Sequence, residues 1–137
     1  MIVLNKLHHS DEQWAALKKE PDVGPIFMIN LFKFREYAEY ADGRETNLTG
    51  IEAYQIYGAE TSKQITDIGG RILHSSVIGG MVVGQVEELW DAVAIVEYPS
   101  IGAFMKMVDS DDWAKHAEHR EAGLAGQLNI FSRKPPE

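Results

Sequence analysis

Ile26 to Phe34 is a run of Ile, Phe, Met and Leu broken only by Asn30 and Lys33, and it follows Pro25. Such a run predicts a strand covered on both sides, with its two polar members on opposite faces. Arg71 to Val83 predicts a second strand, bulged at Gly79-Gly80. Trp90 to Tyr98 predicts a third, with Val93, Ile95 and Glu97 on one side and Trp90, Ala92, Ala94, Val96 and Tyr98 on the other. Leu124 to Phe131 supplies the last. Between them the period changes to that of a helix. Thr49-x-x-Glu52 has capping-box spacing, and Gly69-Gly70 gives the stop. Ile51, Tyr54, Gly58, Thr61, Ile65 and Ile68 recur at three and four residues and draw one face. Gly58 costs about 1 kcal/mol inside a helix, which points to a close approach by neighbouring backbone.

After Pro99, Ser100 caps a short helix with Ile101, Phe104, Met105 and Val108 as its stripe. Ser110 starts another, with Asp111 and Asp112 at the positive end of its dipole. In that helix Trp113, His116, Ala117 and Arg120 share a face, so an imidazole and a guanidinium point where apolar residues are expected; Gly123 ends it. Upstream, Ser10-x-x-Gln13 opens a short helix carrying Trp14 and Leu17, closed by Pro21 and Gly24-Pro25. Glu36 to Asn47 is polar and aperiodic, which predicts a loop with one helical turn; a loop of this length (36–48) often lies over a site.

The order is a helix followed by β-α-β-β-α-β, the split βαβ of a ferredoxin-like α+β fold: a four-stranded antiparallel sheet with both main helices on one face. One domain is expected over 1–137, with a helical extension (1–25), a core (26–131) and a tail (132–137). The second sheet face also carries Phe, Val, Ile and Trp, and nothing else in the chain is left to cover it. A homodimer packed face to face is the expected solution.

The 137 residues have a hydrophobic share of 45% and a charged share of 25%, ordinary for a soluble globular chain. No apolar run reaches the roughly 20 residues that cross a bilayer, and the N-terminus lacks the pattern of a secretory leader, so a cytoplasmic protein with no membrane role is expected. The absence of cysteine removes disulfides, thiolate catalysis and cysteine-based metal sites. Thirteen basic against 21 acidic residues give a net charge of −8, unsuited to a phosphate backbone, so nucleic acid is not an expected partner.

Gly69-Gly70-Arg71, Glu97-Tyr98-Pro99-Ser100, Phe104, Ser110-x-x-Trp113 and Arg120 together resemble the family known as domain of unknown function 1330, of the dimeric α/β-barrel superfamily. The resemblance runs from Ile26 to Phe131 and implies that two ferredoxin-like sheets pair into a barrel. Where the family has a tyrosine after the helix-capping serine, this chain has Trp113. The superfamily includes cofactor-independent monooxygenases, lactone isomerases and haem-binding enzymes, whereas this family carries no agreed activity.

The candidate chemistry gathers on the last helix. His116-x-x-His119 spaces two imidazoles by one turn, but no HExxH pattern accompanies them, and neither a metal nor another cofactor is expected. His119 beside Arg120 suits an anionic small molecule, Arg120 clamping a carboxylate and His119 moving a proton as acid/base. The plainer alternative pairs Arg120 with Glu97 or Glu121 to finish the fold. Asn30, inside an apolar strand, must find partners in backbone, water or ligand. Tyr54 belongs to the inward helix face and is either core or an orienting donor. Arg71 reads as a strand-end anchor. With His119, Asn30, Tyr54, His116 and Arg120 as its site residues, the chain reads as a small-molecule-binding domain. A cofactor-independent isomerase or monooxygenase is one form of that reading, and a non-catalytic binder or dimeric assembly module is the alternative.

Overall fold

The computed structural model describes residues 1–136; the last residue of the expected 132–137 tail lies outside them. The chain folds as α1 (Asp11–Lys19), β1 (Ile26–Phe34), α2 (Gly50–Asp67), β2 (Arg71–Val77), β3 (Ala92–Tyr98), α3 (Ile101–Val108), α4 (Asp111–Gly123) and β4 (Leu124–Ser132). The four strands form one antiparallel sheet in the order β2-β3-β1-β4, the ferredoxin-like arrangement expected from the sequence.

Local chemistry places the helix starts. Ser10 and Thr49 each accept a hydrogen bond from the backbone N–H three residues on, and Gln13 and Glu52 return the bond to the cap, completing both capping boxes. Ser100 and Ser110 cap α3 and α4 in the same way, without the return bond. Gly69 closes α2 with a φ of +86°, a left-handed conformation natural to glycine.

Along β1 the even-numbered residues from Ile26 to Phe32 are buried beneath the helices and the odd ones are half-buried on the far face, which puts Asn30 inside and Lys33 outside. The main core joins β1, β3, α2 and α3 through Ile26, Met28, Val96, Ile65, Phe104 and Met105, with Trp14 and Leu17 of α1 laid against it. A second cluster, Ala38, Tyr40, Ala53 and Ala122, ties the 36–48 loop to α2 and α4.

Four expectations are corrected. The second strand stops at Val77, not Val83, the last bond of its pairing running from the Ile78 amide to the Asp91 carbonyl (2.9 Å); its irregularity falls between Ile72 and His74, and Gly79-Gly80 belong to a connection. The 36–48 loop has no helical turn and lies against α4, held by the Glu39 amide donating to the Ala122 carbonyl (3.0 Å). The buried face of α2 is Gly50, Ala53, Tyr57, Thr61 and Ile65, while Ile51 is exposed, because the helix turns to meet α4. Gly58 has nothing within 4 Å of where a side chain would begin; the close approach is at Gly50 and Gly123, where α2 and α4 touch backbone to backbone.

The sheet's far face stays bare. Phe27, Ile29, Leu31, Val93 and Ile95 are only half-buried there, and Ile130 is exposed. No helix among the described residues is long and apolar enough to cross a membrane.

Candidate functional site

A cleft of about 1100 Å³ separates α2 from the β2–β3 half of the sheet. Because α2 leans on α4, it stands off from the strands at the other side, and a hollow remains between helix and sheet. Asn30, Phe32, Ala94, Val96 and Tyr98 form its floor, and Tyr54, Tyr57, Gly58 and Thr61 its roof. Gly58, with no side chain, widens it. Among the described residues, the charged side chains of the lining, Lys33, Arg35, Glu36 and Asp91, all lie toward one end. Lys33 is paired there with Glu88 (3.3 Å) and Asp91 (3.4 Å), and Arg35 with Glu39 (3.0 Å). A second hollow, about 590 Å³ and lined by Lys33, Arg35, Glu36, Glu39 and Glu88 among others, is a surface groove of mixed charge.

The residues expected to act together separate into three groups. Asn30 and Tyr54 line the cleft. The Asn30 amide is fully engaged: its Oδ1 accepts from Gln127 Nε2 (2.8 Å), and its Nδ2 donates to the Met28 and Ala94 carbonyls (3.3 Å each). Arg120 donates to Gln127 Oε1, so arginine, glutamine and asparagine form a chain through the β1–β4 pair. This corrects both expected partners of Arg120. Glu97 is taken by Arg71 (2.8 Å), and Glu121 lies beside His8 (3.3 Å). Arg71 is therefore the strand-end anchor the sequence predicted. Sequence reasoning passed over Gln127, although the argument applied to Asn30, a polar residue inside an apolar strand, applies to it equally.

His119 and His116 stand outside the cleft lining. His119 Nδ1 is 2.6 Å from the Tyr40 hydroxyl, its ring edge-on to the tyrosine. Arg44 stacks over Tyr40 at 4.0 Å and bonds Glu118 at 2.7 Å, so the pair fastens the loop to α4. Burial pushes the Tyr40 phenol above its ordinary range. His116 is buried against Tyr57, with ring centroids 5.6 Å apart, and its Nε2 has no hydrogen-bond partner among the described residues.

Burial holds the His116 imidazole below its ordinary pKa, against the opposing pull of Glu60, with His119 adding to the depression and Asp112 opposing it. A histidine with a depressed folded pKa favours folding above the unfolded value, near 6.5, and loses that contribution as pH falls toward the folded value. Stability is thus expected to decline between pH 7 and pH 5, and less steeply in His116→Leu. Urea unfolding at several pH values measures both slopes; equal slopes would remove His116 as the cause.

The tyrosines complete the site. Trp113 Nε1 donates to the Tyr57 hydroxyl (3.2 Å), so the indole orients a neighbouring phenol. Burial raises the Tyr54 and Tyr98 pKa values far above the phenol range; Tyr57 adds to both, and Arg120 pulls against the rise at Tyr54. Both stay neutral.

Residues 43–133 match the model of the Domain of unknown function DUF1330. The chain belongs to that family. A crystal structure of methylated RPA0582 protein is 33% identical, covers 96% of each chain and superposes with a TM-score of 0.87. A crystal structure of RPA0582 from Rhodopseudomonas palustris, a protein of unknown function, is 30% identical over 98% of this chain and 100% of that one, TM-score 0.85. SnoaB, a cofactor-independent oxygenase from Streptomyces nogalater, is 10% identical over 84% of this chain and 97% of its own, TM-score 0.52, a likeness of fold alone. No curated protein matches the chain.

Proposed function

We propose that this DUF1330 protein binds a small organic molecule in the cleft between α2 and the sheet, and that it does so as a homodimer joined through the bare sheet face. The observation that carries the first part is the cleft itself: about 1100 Å³, floored by apolar side chains, with a few polar groups set among them. A cleft of that size, open to solvent and mostly apolar with a few polar groups, has the usual form of a small-molecule site. The half-exposed Phe, Ile, Leu and Val of the far face support the second part, since a monomer seldom leaves such a patch in water.

Catalysis is the second reading, favoured by one observation. Tyr54 is a neutral donor inside the cleft, and the Arg120 charge lies near enough to favour negative charge at its oxygen. That pairing suits polarising a carbonyl for isomerisation or cofactor-free oxygenation. His119 would join only by giving up its bond to Tyr40, so the reading rests on Tyr54 and Arg120.

Gly58→Leu tests the site, because Gly58 lines the cleft and has open space before it. Titration calorimetry with 1-tetralone is expected to show binding to the parent and its loss in this variant. Binding that survives the plug, or no binding to the parent, overturns the assignment.

A further inference from the structure

The polar groups in the cleft are unevenly matched. Tyr98 is 5% exposed and Tyr57 8%, and both line the hollow. Tyr57 already accepts a bond from Trp113, which leaves its own hydroxyl hydrogen to give. Among the described residues no side chain or backbone group bonds the Tyr98 hydroxyl; only burial and the neighbouring Tyr57 act on it. Thr61 adds a third such group. Its neighbours on the same helix, Ser62 and Thr66, bond back to the carbonyls four residues earlier, whereas Thr61 Oγ1 is buried with no partner among the described residues. A buried hydroxyl without a partner is destabilising, and an acceptor placed in the cleft would relieve that cost.

The charges lie elsewhere. Lys33, Arg35, Glu36 and Asp91 cluster at the end of β1 and the start of β3, roughly 20 Å along β3 from Tyr98; Lys33 is paired with Asp91 and Glu88, and Arg35 with Glu39. Arg120 does not line the hollow and is engaged by Gln127. A carboxylate at the Tyr98 end would therefore lose its water without gaining a cation.

We propose that the cleft selects an uncharged carbonyl compound of one or two rings, its oxygen accepting hydrogen bonds from the hydroxyls of Tyr98 and Tyr57. This rests on the reading of the cleft as a binding site and replaces an anionic ligand with a neutral one. The phenols act as donors, a ketone, lactone or enone oxygen accepts, and the ring lies between Val96 and Ala94 below and α2 above.

Three probes of one shape separate the alternatives by calorimetry at neutral pH: 1-tetralone, tetralin without the oxygen, and 1-naphthoate with a charge. Tetralone is expected to bind tightest. Tyr98→Phe removes one hydroxyl and breaks no bond within the protein, so thermal stability is kept. Its tetralone affinity is expected to fall roughly three- to ten-fold, the worth of one hydrogen bond, with tetralin unchanged. Naphthoate binding as tightly as tetralone, or an unaltered tetralone-to-tetralin ratio in Tyr98→Phe, overturns the inference while leaving the cleft as the site. Failure of all three probes to bind overturns the site reading and this inference with it.

Discussion

Gly123→Ala is expected to lower the midpoint of thermal unfolding by about 10 °C, while Gly58→Ala raises it by a few degrees. A methyl at Gly123 would stand 2.9 Å from the Tyr54 amide nitrogen and closer still to the Gly50 carbonyl, both backbone atoms that cannot step aside. Overpacking of this kind costs about 1–3 kcal/mol, and α2 must move off α4 to admit it. At Gly58 nothing lies within 4 Å. There alanine only improves helix propensity and restricts the unfolded chain, a gain of about 0.5–1 kcal/mol. Opposite signs from one substitution in one helix pair form a sharp test. A stable Gly123→Ala would mean that the two helices are not seated as described.

The second large effect concerns assembly. Sedimentation equilibrium at micromolar concentration is expected to give twice the 15.3 kDa of the chain, and Ile95→Asp to give 15.3 kDa. Ile95 lies on the bare face, half-buried within one copy, so aspartate there is tolerated by the fold. In a two-fold pair the new carboxylates would be desolvated near each other, a penalty of several kcal/mol. Because each copy carries a net charge of −8, added salt is expected to tighten the parent dimer. A parent that sediments as a single chain would remove the proposed pairing.

What was legible in the sequence was mostly local. Ser10 with Gln13 and Thr49 with Glu52 determine helix starts within four residues, and the alternation in β1 assigns its faces without reference to any partner. The contacts that misled were non-local. Gly58 looked like a point of contact because it interrupts a helix, whereas contact occurs at Gly50 and Gly123, which terminate helices and meet only after folding. His119 looked free to act because its partner, Tyr40, is 79 residues away in a loop without periodicity. Arg120 has acidic residues near it in sequence, yet its partner is a glutamine on the adjoining strand. Asn30 and Tyr54 stand out as site residues because an inward polar residue is visible in the pattern, but the pattern does not say whether its bonds are already taken.

One small feature bears on how far such molecules can associate. Lys6 and Gln127 exchange both backbone hydrogen bonds, and Asn5 crosses Gly126 so closely that a Cβ there would lie 2.6 Å from it. The N-terminal segment thereby covers part of the β4 rim, and the opposite rim, β2, is short and irregular. A ribbon that is stoppered at one border and frayed at the other offers little template for strand-by-strand growth, so copies meeting here tend toward closed pairs, not endless fibres.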